Sequence, residues 1–323
     1  MLTGCVLAAV LSCTTAGDPD LAEVVVAPGA SARAVAESLS TAKVVRFPTF
    51  FRLYLALRGH DRSIKPGTYR LDRKSSWESL LSALVSGKGL VYPVVVPEGY
   101  SLREIVALLA QRTPWGEDSL LAAARDPELL ARLEIPATTL EGYLFPATYA
   151  FPHGASARKV VETMVAEFER RWKREWDSRL AALGMTRHQV VTLASIVERE
   201  ALRSEEAPLI AAVFHNRLKR GIPLQADPTV QYALGAHRSR LLHRDLEIDS
   251  PYNTYRRPGL PPGPIGSPGS AAIEAVLFPA QVPFLYFVAH PDGHHEFRRT
   301  FREHLEAIRQ LRAAGSGGQE DRK

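Results

Sequence analysis

Cysteine is almost missing from this chain of 323 residues: there are two, Cys5 and Cys13. Nothing after Cys13 can form a disulfide or a thiolate metal site, which excludes a disulfide-stapled secreted scaffold. Also missing is any apolar run of the roughly 20 residues that cross a bilayer. The uncharged segment 1–17 (MLTGCVLAAVLSCTTAG) falls short of that length and lacks the Lys/Arg start of a secretory signal. It reads as a truncated export signal or membrane anchor, with weak lipoprotein-type cleavage sites at Leu2–Cys5 and Val10–Cys13. An apolar helix packed on the body is the other reading. No glycine-rich phosphate loop follows a strand, no Gly-x-Ser-x-Gly elbow is present, and there is no zinc-finger or RNA-binding signature. Charge of one sign is scarce too: 40 Lys+Arg against 35 Asp+Glu leaves 40 − 35 = +5, spread along the chain. That suits an anionic partner but lacks the dense basic stripe of a nucleic-acid binder.

What is present is ordinary globular composition, 46% apolar and 23% charged, long enough for two or three domains. Residues 23–96 alternate strand-like and helical runs. Glu23–Ala27 reads as a strand, Ser31 caps a helix to Leu39, and Phe50–Arg58 is a second helix. Ser76–Ser86 is a third helix, ended by Gly87, and Val91–Val96 is a strand. Ser101 and Glu104 match a capping box for a helix to about Gln111. The order strand, Pro-Gly or Glu-Gly, Ser, helix occurs at 23–39 and again at 93–110, a weak repeat of a small α+β unit. Residues 119–133 read as helical and Leu140–Pro152 as irregular and aromatic. Ser156–Leu180 reads as one long amphipathic helix with the stripe Val161, Val165, Phe168, Trp172, Trp176 and Leu180. Thr186 and Gln189 match a second capping box, opening Val190–Val197, a run without charge whose helix must be buried on most sides. A helix follows at 208–221. Residues 251–269 carry six prolines and four glycines, which excludes helix and central strand. Ala271–Leu277 is helical, Phe284–Ala289 a buried-type strand, Phe297–Arg312 contains a last helix, and 313–323 reads as a disordered tail. The fold class is α+β: a small α+β domain, then a mixed, helix-rich one.

Glu198 stands directly after the uncharged helical run. Its neighbours on the same face are Val191, Ala194, Ser195, Ala201 and Leu202. A carboxyl group on such a surface is desolvated and holds its proton to higher pH, as a general acid requires. The alternative is a glutamate that fans out and pairs with Arg199, Arg203 or Arg217. Glu200 lies on nearly the opposite side of the helix, so the two cannot act on one bond. Asp227 and Glu141 remain possible second carboxylates. Asn216, Gln225, Asp227, Tyr252, Asn253, Thr254 and Tyr255 sit in or beside turn-rich segments, where aromatic faces, amides and hydroxyls suit sugar rings. The alternative is that the polar groups satisfy turn backbones and the tyrosines pack. His290, His294, His295 and His304 match no standard zinc spacing, so no metal site is assigned.

Five blocks then occur in order. They are Leu140-Glu141-Gly142-Tyr143-Leu144-Phe145-Pro146 with Thr148-Tyr149; Leu193 to Glu200 (LASIVERE); Phe214 to Leu218 (FHNRL) with Leu224 to Val230 (LQADPTV); Tyr252-Asn253-Thr254-Tyr255; and Gly259 to Ile265 (GLPPGPI). Together they resemble the endolytic murein transglycosylases, the YceG-like or MltG family, over nearly the whole chain from about residue 23. The resemblance implies an anchor at 1–17, a LysM-like peptidoglycan-associated domain at 23–96, a YceG-like catalytic domain at 97–312 and a tail at 313–323. It implies a bacterial inner-membrane protein with an extracytoplasmic, periplasmic body, acting without a cofactor on nascent peptidoglycan strands and leaving 1,6-anhydro ends. It implies contact with peptidoglycan synthases and none with nucleic acid. The catalytic glutamate falls on Glu198, and substrate contact on Tyr143, Asn216, Gln225, Asp227, Tyr252, Asn253 and Tyr255. Two other functions stay open: a non-catalytic peptidoglycan-binding scaffold, and a muramidase pairing Glu198 with Asp227 or Glu141. The departure from the family is the missing full membrane helix at the N-terminus.

Overall fold

A computed structural model describes residues 20–60, 63–235, 238 and 241–317. The segment read as signal or anchor lies outside them, as do residues 318–323 of the tail. The chain forms two compact units.

The first unit takes the chain up to Val95 and, much later, Ala147–Ala155. Its sheet has four antiparallel strands in the order Leu21–Val26, Gly67–Asp72, Leu90–Val95, Thr148–Pro152. Leu21–Val26 alternates buried and exposed residues from Ala22 on, which turns Ala22, Val24 and Val26 to the core. Three helices complete it: Ala32–Thr41, Pro48–Leu57 and Trp77–Ser86. Ser31 and Ser76 cap the first and third through their side chains, and Gly87 closes the third in the left-handed region. Leu39, Phe51, Leu55, Tyr69 and Leu84 are fully buried between helices and sheet. The Tyr69 hydroxyl is satisfied there by the carbonyls of Lys65 and Leu84.

Two expectations change here. Leu140–Pro152 is not irregular throughout: Thr148–Pro152 is a strand, with Tyr149 opposite Val94. The 93–110 pattern is not a second copy of the 23–39 unit. Its strand belongs to the first unit, whereas its helix, Leu102–Arg112, belongs to the second.

The second unit, Val96–Pro146 and Ser156 onward, is helical with one two-stranded antiparallel ribbon, Tyr286–Ala289 and His295–Arg298. The stretch expected as one helix from Ser156 is two, Ala157–Arg171 and Arg174–Leu183. They part at Trp172, whose backbone turns extended while its indole N–H donates to Asp177 and its ring packs on the Arg187 guanidinium, 4.4 Å away. At the centre runs Arg187–Glu200, capped by Thr186 and Gln189, with every residue from Val190 to Val197 buried. Ala207–Lys219 and Ser270–Leu277 pack beside it. The last helix, Phe301–Gly317, runs past the expected start of the tail.

Candidate active site

The central helix ends in three consecutive charges, Glu198, Arg199 and Glu200, turned about 100° apart. The last turn of a helix is the negative end of its dipole, so it favours protonated carboxyl groups. Each of the three side chains meets a different neighbour.

Glu198 faces the Pro97-Glu98-Gly99 turn and the end of the proline-rich loop. Its Oε2 accepts the Gly269 N–H at 2.9 Å. Turn and loop are laced together by Gly99 N–H to Ser267 O and Ser267 N–H to Tyr100 O, both 2.8 Å. The approach is close enough to demand glycine on the loop. A Cβ at Gly266 would lie 2.5 Å from Gly99 O, and one at Gly269 would lie 1.8 Å from Glu98 Oε1. The carboxylates of Glu98 and Glu198 therefore share Gly269 as a seat. Burial raises the Glu198 pKa, the Gly269 hydrogen bond opposes that, and the like charge of Glu98 adds to it. The three arginines that could have neutralised Glu198 point elsewhere. Arg199 reaches Ile265 O and lies 3.9 Å from Glu104, Arg203 pairs with Asp292, and Arg217 donates to the carbonyls of Pro223, Leu224 and Leu285.

Glu200 turns to the other side. Burial, with Asp227 adding to it, pushes its pKa up to about 8 against the Asp227 N–H and Arg217, which lower it. The Tyr255 hydroxyl donates to Asp227, and Gln225 holds a left-handed backbone at φ 52° beside them. Sequence spacing placed the two glutamates on opposite faces, and the structure gives them separate partners.

On the Arg199 side of the helix end, a cleft of about 250 Å³ is lined by Ser101, Arg103, Glu104, Glu141, Arg199, Gln231, Tyr232 and Gly235, and by neither Glu198 nor Glu200. Glu141 forms its floor. It accepts the Leu102 N–H at 2.8 Å and the Tyr232 hydroxyl at 3.0 Å, and burial pushes its pKa up to about 7. Tyr252 packs on Tyr232, ring centroids 4.8 Å apart. A larger hollow of about 640 Å³ opens at the opposite end of the helix, beside Met185, His188 and Gln189, and no carboxylate lines it.

The expected sugar contacts do not gather in one place. Asp227 and Tyr255 neighbour Glu200, Gln225 accepts from Arg217, and Tyr252 packs on Tyr232 beside the Glu141 cleft. Tyr143, Asn216 and Asn253 are engaged inside the fold. The Tyr143 hydroxyl meets His188 Nδ1, the Asn216 amide donates to Val282 O and Phe284 O, and the fully buried Asn253 donates to Leu246 O and Ile248 O. Sequence reading missed Glu98 and Gly269. The Pro-Glu-Gly triplet was visible only as punctuation before a capping box. Three of the four histidines face carboxylates, His290 with Glu296, His294 with Asp292 and His295 with Glu206, and His304 stacks on Tyr286.

The model of the YceG-like family matches residues 24–310. An endolytic murein transglycosylase of Bacillus subtilis (strain 168) is 35% identical over 295 residues, 86% of this chain and 81% of that protein. One from Streptococcus pneumoniae serotype 2 is 31% identical over 292 residues, 81% of this chain but only 53% of that longer protein. A crystal structure of a yceG-like protein from Listeria monocytogenes is 32% identical with a TM-score of 0.64, covering 90% of this chain and 99% of that one.

Proposed function

The chain belongs to the YceG-like family, and on that premise we propose that it is an endolytic lytic transglycosylase of peptidoglycan with Glu198 as its acid and base. Glu198 protonates the oxygen of the MurNAc–GlcNAc β-1,4 bond as that bond breaks. The carboxylate left behind takes the proton of the muramoyl C6 hydroxyl, whose oxygen attacks C1 and closes a 1,6-anhydro ring. One group serves both steps and no water is consumed. Proton transfer of this kind contributes roughly 10²–10⁴-fold; the rest comes from holding the ring in a reactive geometry.

The observation that carries this reading is the environment of Glu198: a desolvated carboxyl without a cationic partner, beside a second carboxylate on the same glycine. Such a group is protonated at higher pH than an ordinary glutamate and is free to exchange its proton. Tyr255, Asp227 and Gln225, on the Glu200 side, and Tyr252, beside the cleft, are the proposed sugar contacts. The first unit is the proposed LysM-like, strand-associated domain. The proposed location of the body is the extracytoplasmic side of the inner membrane, next to peptidoglycan synthases, which suits cleavage of nascent strands that ends their elongation.

Purified glycan strands digested by the protein and read by mass spectrometry test the reaction. Anhydro ends are expected. Reducing ends, heavier by one water, would instead mean a muramidase, and no cleavage with retained sacculus binding would mean a scaffold. The muramidase pairings have little support in the geometry, because Glu141 is tied to Leu102 and Tyr232 and Asp227 sits with Glu200.

A further inference from the structure

The helix Pro48–Leu57 in the first unit is apolar on two faces. One face is core: Phe51 and Leu55 are fully buried, with Phe51 packed edge-on against Trp77. The other lies open. Phe47, Phe50, Leu53 and Leu57 are 52%, 64%, 55% and 78% exposed, and they recur every three or four residues along one side. Scattered exposed apolar residues need no explanation, but a contiguous row marks a surface that meets something apolar.

The surrounding charge says what that is. Between Glu37 and Asp61 the sequence carries four cations, Lys43, Arg46, Arg52 and Arg58, and no acid. All four are exposed, and none is ion-paired among the described residues. Arg46 and Arg58 sit at the two ends of the row, their guanidinium carbons 5.4 Å from the Phe47 ring and 5.3 Å from the Tyr54 ring. A row of large apolar side chains framed by unpaired guanidinium groups matches a lipid surface, where acyl chains take the rings and headgroup phosphates surround them with acceptors. A protein partner would have to supply an apolar groove together with separate acids at both ends. At ten residues the helix is too short to span, so it lies in the plane of the interface.

We propose that the exposed face of Pro48–Leu57, with Arg46, Arg52 and Arg58, docks the first unit onto an anionic lipid bilayer. This contact is separate from residues 1–17 and independent of the reading of Glu198.

The test uses the full chain with vesicles of phosphatidylglycerol and phosphatidylcholine, and with phosphatidylcholine alone. Backbone hydrogen exchange is the local readout, since residues 1–17 could hold the chain to vesicles by themselves. Amides of residues 49–57 should exchange more slowly on the anionic vesicles. The triple variant Phe50→Ser, Leu53→Ser, Leu57→Ser should lose that protection, and its partitioning should weaken at least about tenfold. Arg52→Gln with Arg58→Gln should erase the preference for phosphatidylglycerol. The substituted side chains are exposed, so melting should be unchanged; should a variant misfold, exchange on the unaltered chain still decides. Vesicle-bound protein with unprotected amides in this helix would overturn the proposal. So would protection by glycan strands without lipid, or a lipid-free dimer that the triple variant dissolves.

Discussion

Glu141 offers a sharp test of what its buried carboxyl does. Its pKa stands at about 7 against an ordinary 4.5, chiefly through burial. The folded chain thus binds this proton more tightly than the unfolded chain. The stability that goes with the proton is fully present below pH 4.5 and is lost as pH rises toward and through 7. A shift of about 2.5 units at 1.36 kcal/mol each makes the loss about 3 kcal/mol. Glu141→Gln removes the titration and keeps the shape. Its amide oxygen can still accept the Leu102 N–H. Its NH₂ can donate to the Tyr232 hydroxyl, whose own proton then turns to Tyr252, already a hydrogen-bond neighbour. Thermal unfolding of parent and variant between pH 4 and about 8.5 reads the difference. The variant should melt near the parent at the acid end and roughly 5–10 °C above it at the alkaline end. Parallel curves would mean that Glu141 is charged in the fold and the burial argument is mistaken. The same variant should still form anhydro ends; a collapse of cleavage as deep as that of a Glu198 variant would put Glu141 among the reacting groups.

The other outcomes concern the glutamate seat and the turn network. Glu198→Gln keeps an acceptor for the Gly269 N–H, so its melting temperature should hold while strand cleavage, followed by product mass, falls roughly 10²–10⁴-fold. With Glu198 as the proposed acid, cleavage requires its protonated form, so activity should fall as pH rises through its raised pKa. Glu98→Gln removes the like charge, lowers that pKa and should move the alkaline limb of the pH–rate profile to lower pH. Gly269→Ala should move the limb the same way, because its Cβ claims the position of Glu98 Oε1, and the end of a flexible side chain can yield without unfolding the site. Asn253→Ala takes the side-chain donor from the half-buried Leu246 and Ile248 carbonyls, the second of which keeps the Ser250 N–H, and the acceptor from the Tyr255 N–H, and should cost about 2 kcal/mol in denaturant unfolding.

Much of the fold was legible because its signals are local. Ser31, Ser101 and Thr186 cap the helices they were expected to cap, since a hydroxyl satisfying an amide three residues on depends on nothing distant. Burial of Val190–Val197 followed from the lack of any charge to turn outward. What failed was non-local. The break at Trp172 keeps the apolar spacing intact, and the contacts its ring makes there, with Asp177 and Arg187, leave no mark in that spacing. Thr148–Pro152 is short and hemmed by prolines, and the residues it pairs with lie far back in the chain. Of the candidate site, the apolar setting of one glutamate was legible and its nearest polar neighbour was not. Glu198 stood out against an apolar background, whereas Glu98 looked like part of a turn. Asn216 and Asn253 look like sugar ligands in any sequence; only the carbonyls around them show that their amides are already taken.

The return of the chain at Thr148–Pro152 has an effect on synthesis and on dissection of the protein. The first sheet is not finished when its early residues emerge, because its outermost member is made more than fifty residues after Leu90–Val95. Until then Leu90–Val95 is a bare margin with open amides and carbonyls, the kind of edge that recruits foreign strands. A cut at Val96 would freeze the protein in that state. It would also leave the remaining piece with a five-residue strand that has nothing to lie against. The halves are therefore better separated by excising Val96–Pro146 and everything past Ala155, with a short bridge carrying the strand home, than by dividing the chain in two.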